Sequence, residues 1–189
     1  ELDMVIACQT PPSRLFLNNG GGKFVDATER LGAQVPMETR EVHVFDANAD
    51  GHPDIVFFNL TSNNKKWDKD PQARLFINDG NASFRDETAS RLPSHRFSSW
   101  GGTVTDFNND GHADLLVSAI EVPGFVPLQV RAWQNDGQGH FIDATGKVIP
   151  KETVGRSWSM AQGDLDGDGK PDVFIGAWGT QARLLLTKP

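Results

Sequence analysis

Residues 164–172 read "DLDGDGKPD" and place carboxylates at positions 1, 3, 5 and 9 of a nine-residue stretch, with glycine at position 6. Left alone, so much negative charge repels itself; around a cation it becomes a ligand set. Ca²⁺ takes six to eight oxygens at about 2.3–2.6 Å in a flexible shell, and a glycine at position 6 allows the sharp turn such a loop needs. The expected donors are Asp164, Asp166, Asp168, the main-chain carbonyl of Lys170, and Asp172.

The pattern recurs twice. "DANADGHPD" (46–54) offers Asp46, Asn48, Asp50, the carbonyl of His52, and Asp54; "DFNNDGHAD" (106–114) offers Asp106, Asn108, Asp110, the carbonyl of His112, and Asp114. Three coincident acidic turns at one spacing are improbable, so three Ca²⁺ sites are expected. The first two loops carry three carboxylates each and the last carries four. An EF-hand needs a bidentate Glu at position 12; Phe57, Val117 and Ile175 stand there instead. The runs that follow, "DIVFFN", "DLLVSA" and "DVFIGA", are short, apolar and rich in β-branched and aromatic residues, as buried strands are.

The loops must be positioned by something that repeats with them. They begin 60 and 58 residues apart. After each comes a hairpin signal, a strand, a Gly-containing turn and a second strand: "RLFLNNGGGKFVDAT" from Arg14, "RLFINDGNASFRDET" from Arg74 and "RAWQNDGQGHFIDAT" from Arg131, with "RLLLTKP" from Arg183 as a partial fourth. Before the loops come "TREVHVFD", "SSWGGTVTD" and "RSWSMAQGD", in which Arg40 stands where the others have Trp100 and Trp158. One unit is therefore strand A, metal loop, strand B, long loop, strand C, tight turn, strand D. Four antiparallel strands at this period describe a blade of a β-propeller, an all-β fold.

These loops, with "SWGG…D" before and "RLFxNxGxxxFxDxT" after, resemble FG-GAP/VCBS repeats, especially those of ASPIC/UnbV-type secreted proteins and, more distantly, the integrin α-subunit propeller. The resemblance implies a seven- or eight-bladed ring with calcium in the A–B loops and a secreted, extracellular or cell-surface setting, with the periplasm as an alternative. It implies no single activity, since the family includes adhesion receptors, lectins and propellers attached to enzymes. The chain supplies about three to four blades: complete ones at 40–88 and 100–145, partial ones at 1–28 and 157–189. Asp3 aligns with Asp54, Asp114 and Asp172. The expectation is a segment of a larger propeller, its remaining blades coming from the same parent chain or from other copies.

Composition agrees. The chain has 189 residues, with 19 Gly and 11 Pro, and a net charge of −7 that three Ca²⁺ ions would bring close to neutrality. That acidity argues against nucleic acid as a partner. No run approaches the apolar length of a membrane span. The one cysteine, Cys8, excludes an internal disulfide and is expected to be a buried structural thiol.

In an up-and-down blade the metal loops and C–D turns share one face. The loops of the opposite face (29–40, 59–73, 89–99, 119–130, 146–157 and 176–182) carry a net +4 against −11 for the rest. That face is the expected ligand surface, with Trp67, Phe125 and Trp178 as candidate contacts for a sugar or a protein. Arg14, Arg74, Arg131 and Arg183, repeated in every unit, are expected to brace the blades. Trp100 and Trp158 are expected to pack between blades, and the rings of His52 and His112 to face solvent. Asn59 and Asn81 head glycosylation sequons. No Ser-His-Asp or Cys-His motif is present, so the chain is expected to be no enzyme but a non-enzymatic binding or adhesion module for a protein or glycan. The alternative is an accessory propeller of a larger secreted enzyme or complex whose chemistry lies elsewhere.

Overall fold

Alternation of apolar residues along short strands decides how this chain packs. In the computed structural model, which describes residues 2–60, 72–121 and 126–187, the strands run β1 (Met4–Ile6), β2 (Arg14–Asn18), β3 (Phe24–Asp26), β4 (Glu38–Phe45), β5 (Asp54–Leu60), β6 (Arg74–Asn78), β7 (Phe84–Asp86), β8 (Gly102–Thr105) and β9 (Asp114–Val117). They continue with β10 (Ile120–Glu121), β11 (Val126–Gln129), β12 (Arg131–Asn135), β13 (Phe141–Asp143), β14 (Val154–Gly155), β15 (Ser157–Gly163), β16 (Asp172–Ala177) and β17 (Arg183–Leu185).

Two sheets have four antiparallel strands, in the orders β4-β5-β6-β7 and β8-β9-β12-β13. The sheets β1-β2-β3 and β15-β16-β17 have three. The fold is all-β, and its repeated antiparallel sheets stack face to face as propeller blades do; within the described residues they do not close a ring.

β5 is buried along its whole length, and its side chains serve two cores alternately, as a pleated strand must. Ile55 and Phe57 join Leu15, Leu31, Met37 and Phe76 between the first two sheets. Val56 and Phe58 join Leu75, Leu115, Val117 and Trp133 between the second and third. Leu116, on the other face of β9, packs with Ala132, Met160, Val173 and Ile175 toward the last sheet. These three interfaces hold most of the hydrophobic core; Leu60, Trp100 and Ile120 form a smaller fourth cluster.

Several expectations are corrected. The loops 119–130 and 146–157 are not irregular: β10, β11 and β14 form an extra three-stranded sheet. Pro123 and Pro127 disguise it, since proline argues against a strand and is tolerated chiefly at edges. Short helical turns follow strand D in each repeat, at Thr28–Leu31, α1 (Thr88–Arg91) and α2 (Thr145–Val148). The D-x-T motif starts them. Asp26, Asp86 and Asp143 accept from the N–H of Thr28, Thr88 and Thr145, whose hydroxyls in turn accept from Leu15, Leu75 and Ala132 N–H. Cys8 is only half-buried. Asn59 is 0% exposed and donates to the Gln72 carbonyl, so its sequon is closed in the folded chain, while Asn81 is exposed.

Candidate metal centre

Each acidic loop joins strand A to strand B, so β4/β5, β8/β9 and β15/β16 hold its two ends at hydrogen-bonding separation. Inside the loop the carboxylates fold the backbone. Asp46 accepts from the N–H groups of Asp50 and Gly51 at 3.2 and 2.8 Å, and Asp106 from Asp110 and Gly111 at 3.1 and 2.8 Å. Asp164 accepts from Gly167 and Gly169 at 2.7 and 3.0 Å. Asp50, Asp110 and Asp168 each accept from the N–H of the residue two further on, His52, His112 and Lys170.

The turn is left-handed at two places. Gly51, Gly111 and Gly169 at position 6 have φ of 85°, 87° and 84°, which favours glycine. Position 4 is left-handed too, yet only Gly167 is a glycine; Ala49 and Asn109 both sit at φ 58°.

The aspartate at position 9 has a second task. Asp54 accepts from Ala47 N–H (2.9 Å) within its loop and from Asn78 N–H (2.8 Å) at the end of strand C. Asp172 does the same with Leu165 and Thr187, both at 2.9 Å. Asp114 takes Asn135 N–H at 2.8 Å, and Asp3 takes Asn18 N–H at 2.8 Å. This carboxylate is a corner post joining three strands, buried at all three complete loops. Burial pushes the Asp54 carboxyl up, and the Asp114 carboxyl to about 7. The Asp172 carboxyl is instead held low by its bonds from Thr187 and Leu165. No described sheet covers the outer side of β15-β16-β17, so fewer atoms exclude water there. Asp50 is also held low, by His52 N–H and the Asn48 amide.

The donor set fits a hard cation. One carboxylate oxygen each from Asp164, Asp166 and Asp172 lies within 4.8 Å of the others. Ligands on a shell of about 2.3–2.6 Å radius are separated by at most about 5 Å. Asp168 stands outside that triple. In the other two loops Asn48 and Asn108 occupy position 3 and donate to Asp50 and Asp110, and among the described residues no equivalent three-carboxylate cluster forms.

The histidines of position 7 do not simply face solvent. A Cβ on Gly80 would lie 2.7 Å from His52 Nε2, and one on Gly137 2.6 Å from His112 Nε2. Each ring lies over the glycine of the C–D turn and ties that turn to the acidic loop. Arg14 pairs with Asp26 at 3.0 Å and Arg74 with Asp86, bracing strand C to strand D.

At the opposite face, Trp178 is 53% exposed and lies 5.9 Å from Trp158 and 6.5 Å from Trp100. Trp67 and Phe125 lie outside the described residues. Sequence reasoning assigned no function to Arg40, whose guanidinium lies 4.9 Å from the centre of the Trp158 ring. The signal was the break in the repeat, an arginine where tryptophan is expected.

The FG-GAP-like repeat, as a family profile, matches residues 1–57, 60–117 and 126–175. Cartilage acidic protein 1 of Xenopus tropicalis is 29% identical over 183 residues, covering 92% of this chain and 26% of that protein. The human protein of the same name is 28% identical over 181 residues, with the same coverage. Integrin alpha-7 of Mus musculus is 41% identical over 83 residues, 39% of this chain and 7% of that protein. The chain spans about a quarter of the length of the cartilage acidic proteins it matches.

Proposed function

This chain belongs to the FG-GAP-like repeat family, and from that premise we propose that it is a calcium-stapled extracellular propeller segment, a non-enzymatic binding or adhesion module for a protein or glycan. The observation that carries the reading is one corner built three times. Loops 46–54, 106–114 and 164–172 share their fold, their oxygen-only donors and a buried position-9 aspartate. The donors proposed are Asp46, Asn48, Asp50, His52 carbonyl and Asp54; Asp106, Asn108, Asp110, His112 carbonyl and Asp114; and Asp164, Asp166, Asp168, Lys170 carbonyl and Asp172. A bound Ca²⁺ would neutralise the repulsion that each loop carries and hold strands A and B at a fixed corner.

The likeness to integrin alpha-7 supports an extracellular module whose partner is a protein. The acidic side chains are engaged in shaping loops, which supports a role in architecture over one in catalysis. The seven- or eight-bladed ring, its further blades coming from the parent chain or other copies, is part of the proposal. The test is thermal unfolding with calcium and with chelator. A ligand at 100 times its Kd stabilises by about 2.7 kcal/mol per site, so calcium should raise Tm by many degrees. An unchanged Tm would refute the staple.

A further inference from the structure

Three residues at one register of the repeat leave their strands and converge. Counting back six positions from Asp46, Asp106 and Asp164 gives Arg40, Trp100 and Trp158. The β4–β5 ladder pairs Thr39 with Asn59 and Glu41 with Phe58, so Arg40 is the extra residue of a β-bulge. The β15–β16 ladder pairs Ser157 with Ala177 and Ser159 with Gly176, so Trp158 is the extra residue of another. Trp100 precedes the first ladder pair of β8, Gly102 with Val117. Bulges re-aim a side chain away from the pleat, often toward a site. Here the two bulged residues, Arg40 and Trp158, join Trp100 around one cavity of about 480 Å³, whose walls also include Gln9, Glu41 and Ser159. That volume lies within the usual range for small-ligand sites, about 300–1,000 Å³.

The cavity wall carries one cation, Arg40, and one carboxylate, Glu41, which is bonded to other groups. Arg40 is exposed, stacked at 4.9 Å on Trp158, and has no carboxylate or carbonyl partner among the described residues. The acids adjacent in sequence, Glu38 and Glu41, make contacts of their own. Glu41 accepts from Gly102 N–H at 3.0 Å through one oxygen and faces His43 at 3.2 Å with the other. Glu38 is buried and takes the Gln9 amide at 2.8 Å through Oε1, while its Oε2 has no hydrogen-bond partner among the described residues. The guanidinium lies over the Trp158 ring, and its N–H donors are of the kind that match a carboxylate bidentately. Beside it Trp100 and Trp158 meet edge to face at 4.7 Å, with Trp158 still 42% exposed. The pocket is thus aromatic-walled, with an exposed guanidinium among its polar groups.

We propose that this cavity binds the uronic acid residue of an acidic glycan. The carboxylate would take the N–H donors of Arg40, the apolar face of the sugar ring would lie on Trp158, and its hydroxyls would meet Gln9 and Ser159. A bare inorganic anion makes no use of the tryptophan wall, and a neutral sugar makes none of Arg40. The inference rests on the binding-module reading and names the ligand class for it.

The test is a tryptophan-fluorescence titration of the full chain, with calcium present, against a glucuronate-containing tetrasaccharide, its carboxyl-reduced neutral counterpart, and an aspartate hexapeptide. The expected result is saturable quenching by the glucuronate sugar, with affinity at least about tenfold lower for the neutral sugar and for Arg40→Gln, as loss of a bidentate charged pair requires. Arg40→Gln should keep the circular dichroism and Tm of the parent. If it fails to fold, Arg40→Lys carries the comparison and should be weakened to a lesser degree. Absence of saturable quenching overturns the proposal, and if calcium still raises Tm the module reading survives it. Equal affinity for the neutral sugar overturns it as well. Tighter binding of the aspartate peptide also overturns it, in favour of a protein partner.

Discussion

The side-chain amide of Asn135 donates to the carbonyl of Ala47, 2.8 Å away and 88 residues earlier in the chain. The same amide donates to Ala113 at 3.0 Å, and its oxygen accepts from Gly137 and Gly139, each at 3.1 Å. One buried side chain thus joins the C–D turn of the third sheet to its own acidic loop and to the loop of the sheet before it. Asn78 and Asn18 make the local half of this set, donating to Pro53 and Leu2 and accepting from Gly80 and Gly20.

Asn135→Ala should therefore cost more than Asn18→Ala. Leaving buried donors and acceptors unpaired costs about 1–3 kcal/mol, so a loss near the top of that range is expected for Asn135, and under about 1 kcal/mol for the more exposed Asn18. Chemical denaturation in calcium reads the difference; equal costs would show that the bond to Ala47 contributes little.

Asp114→Ala and Asp50→Asn separate scaffold from ligand. Asp114 is buried and receives Asn135 N–H, so alanine there, which leaves that N–H unpaired, should destabilise by about 1–3 kcal/mol with or without chelator. Asp50 is exposed, and Asp50→Asn should lower Tm in calcium while leaving the chelated chain nearly unchanged. If Asp114→Ala were harmless in chelator, the corner-post role would be wrong.

Position 4 offers a stabilising change. Ala49 at φ 58° pays the left-handed penalty of about 1–2 kcal/mol, offset against the about 0.5–1 kcal/mol that glycine loses in chain entropy. Ala49→Gly should gain on the order of 0.5–1 kcal/mol, and Gly167→Ala should lose a similar amount. Thermal melts of the chelated chain measure both, and a loss on Ala49→Gly would contradict the turn geometry.

Gly80→Ala should destabilise by strain at φ +87° and by collision with the His52 ring. Adding His52→Ala should recover only the collision part, a non-additivity that a double-mutant cycle detects. Strict additivity would mean that ring and turn are independent.

The repeat made the sheets legible. Alternation in "DIVFFN" and the turn residues of "RLFINDGNASF" fix strands whose two faces both find a core. Local spacing also located the acidic loops. It could not show that Asp54, Asp114 and Asp172 bind the strand C end, because that contact depends on sheet geometry across 15 to 24 residues. The β10-β11-β14 sheet was hidden because its strands are two to four residues long and its middle strand carries Pro127. The convergence of Arg40 with Trp158 was hidden because each side chain is aimed by its own β-bulge, which sequence does not announce.

Charge count should rank the loops. Four carboxylates at 164–172 against three at 46–54 and 106–114 predict that the last loop releases its cation last during chelator titration, since ligand charge tunes calcium affinity. Asp166→Asn should remove that advantage. An unchanged order of release after Asp166→Asn would show that rigidity, not charge, sets the rank.

The central claim is tested most directly by metal analysis of the chain purified without chelator and dialysed against a low calcium concentration. The account predicts three calcium ions per chain, falling to two when both Asp106 and Asp110 are replaced by alanine. A stoichiometry near zero, or zinc in place of calcium, would contradict it.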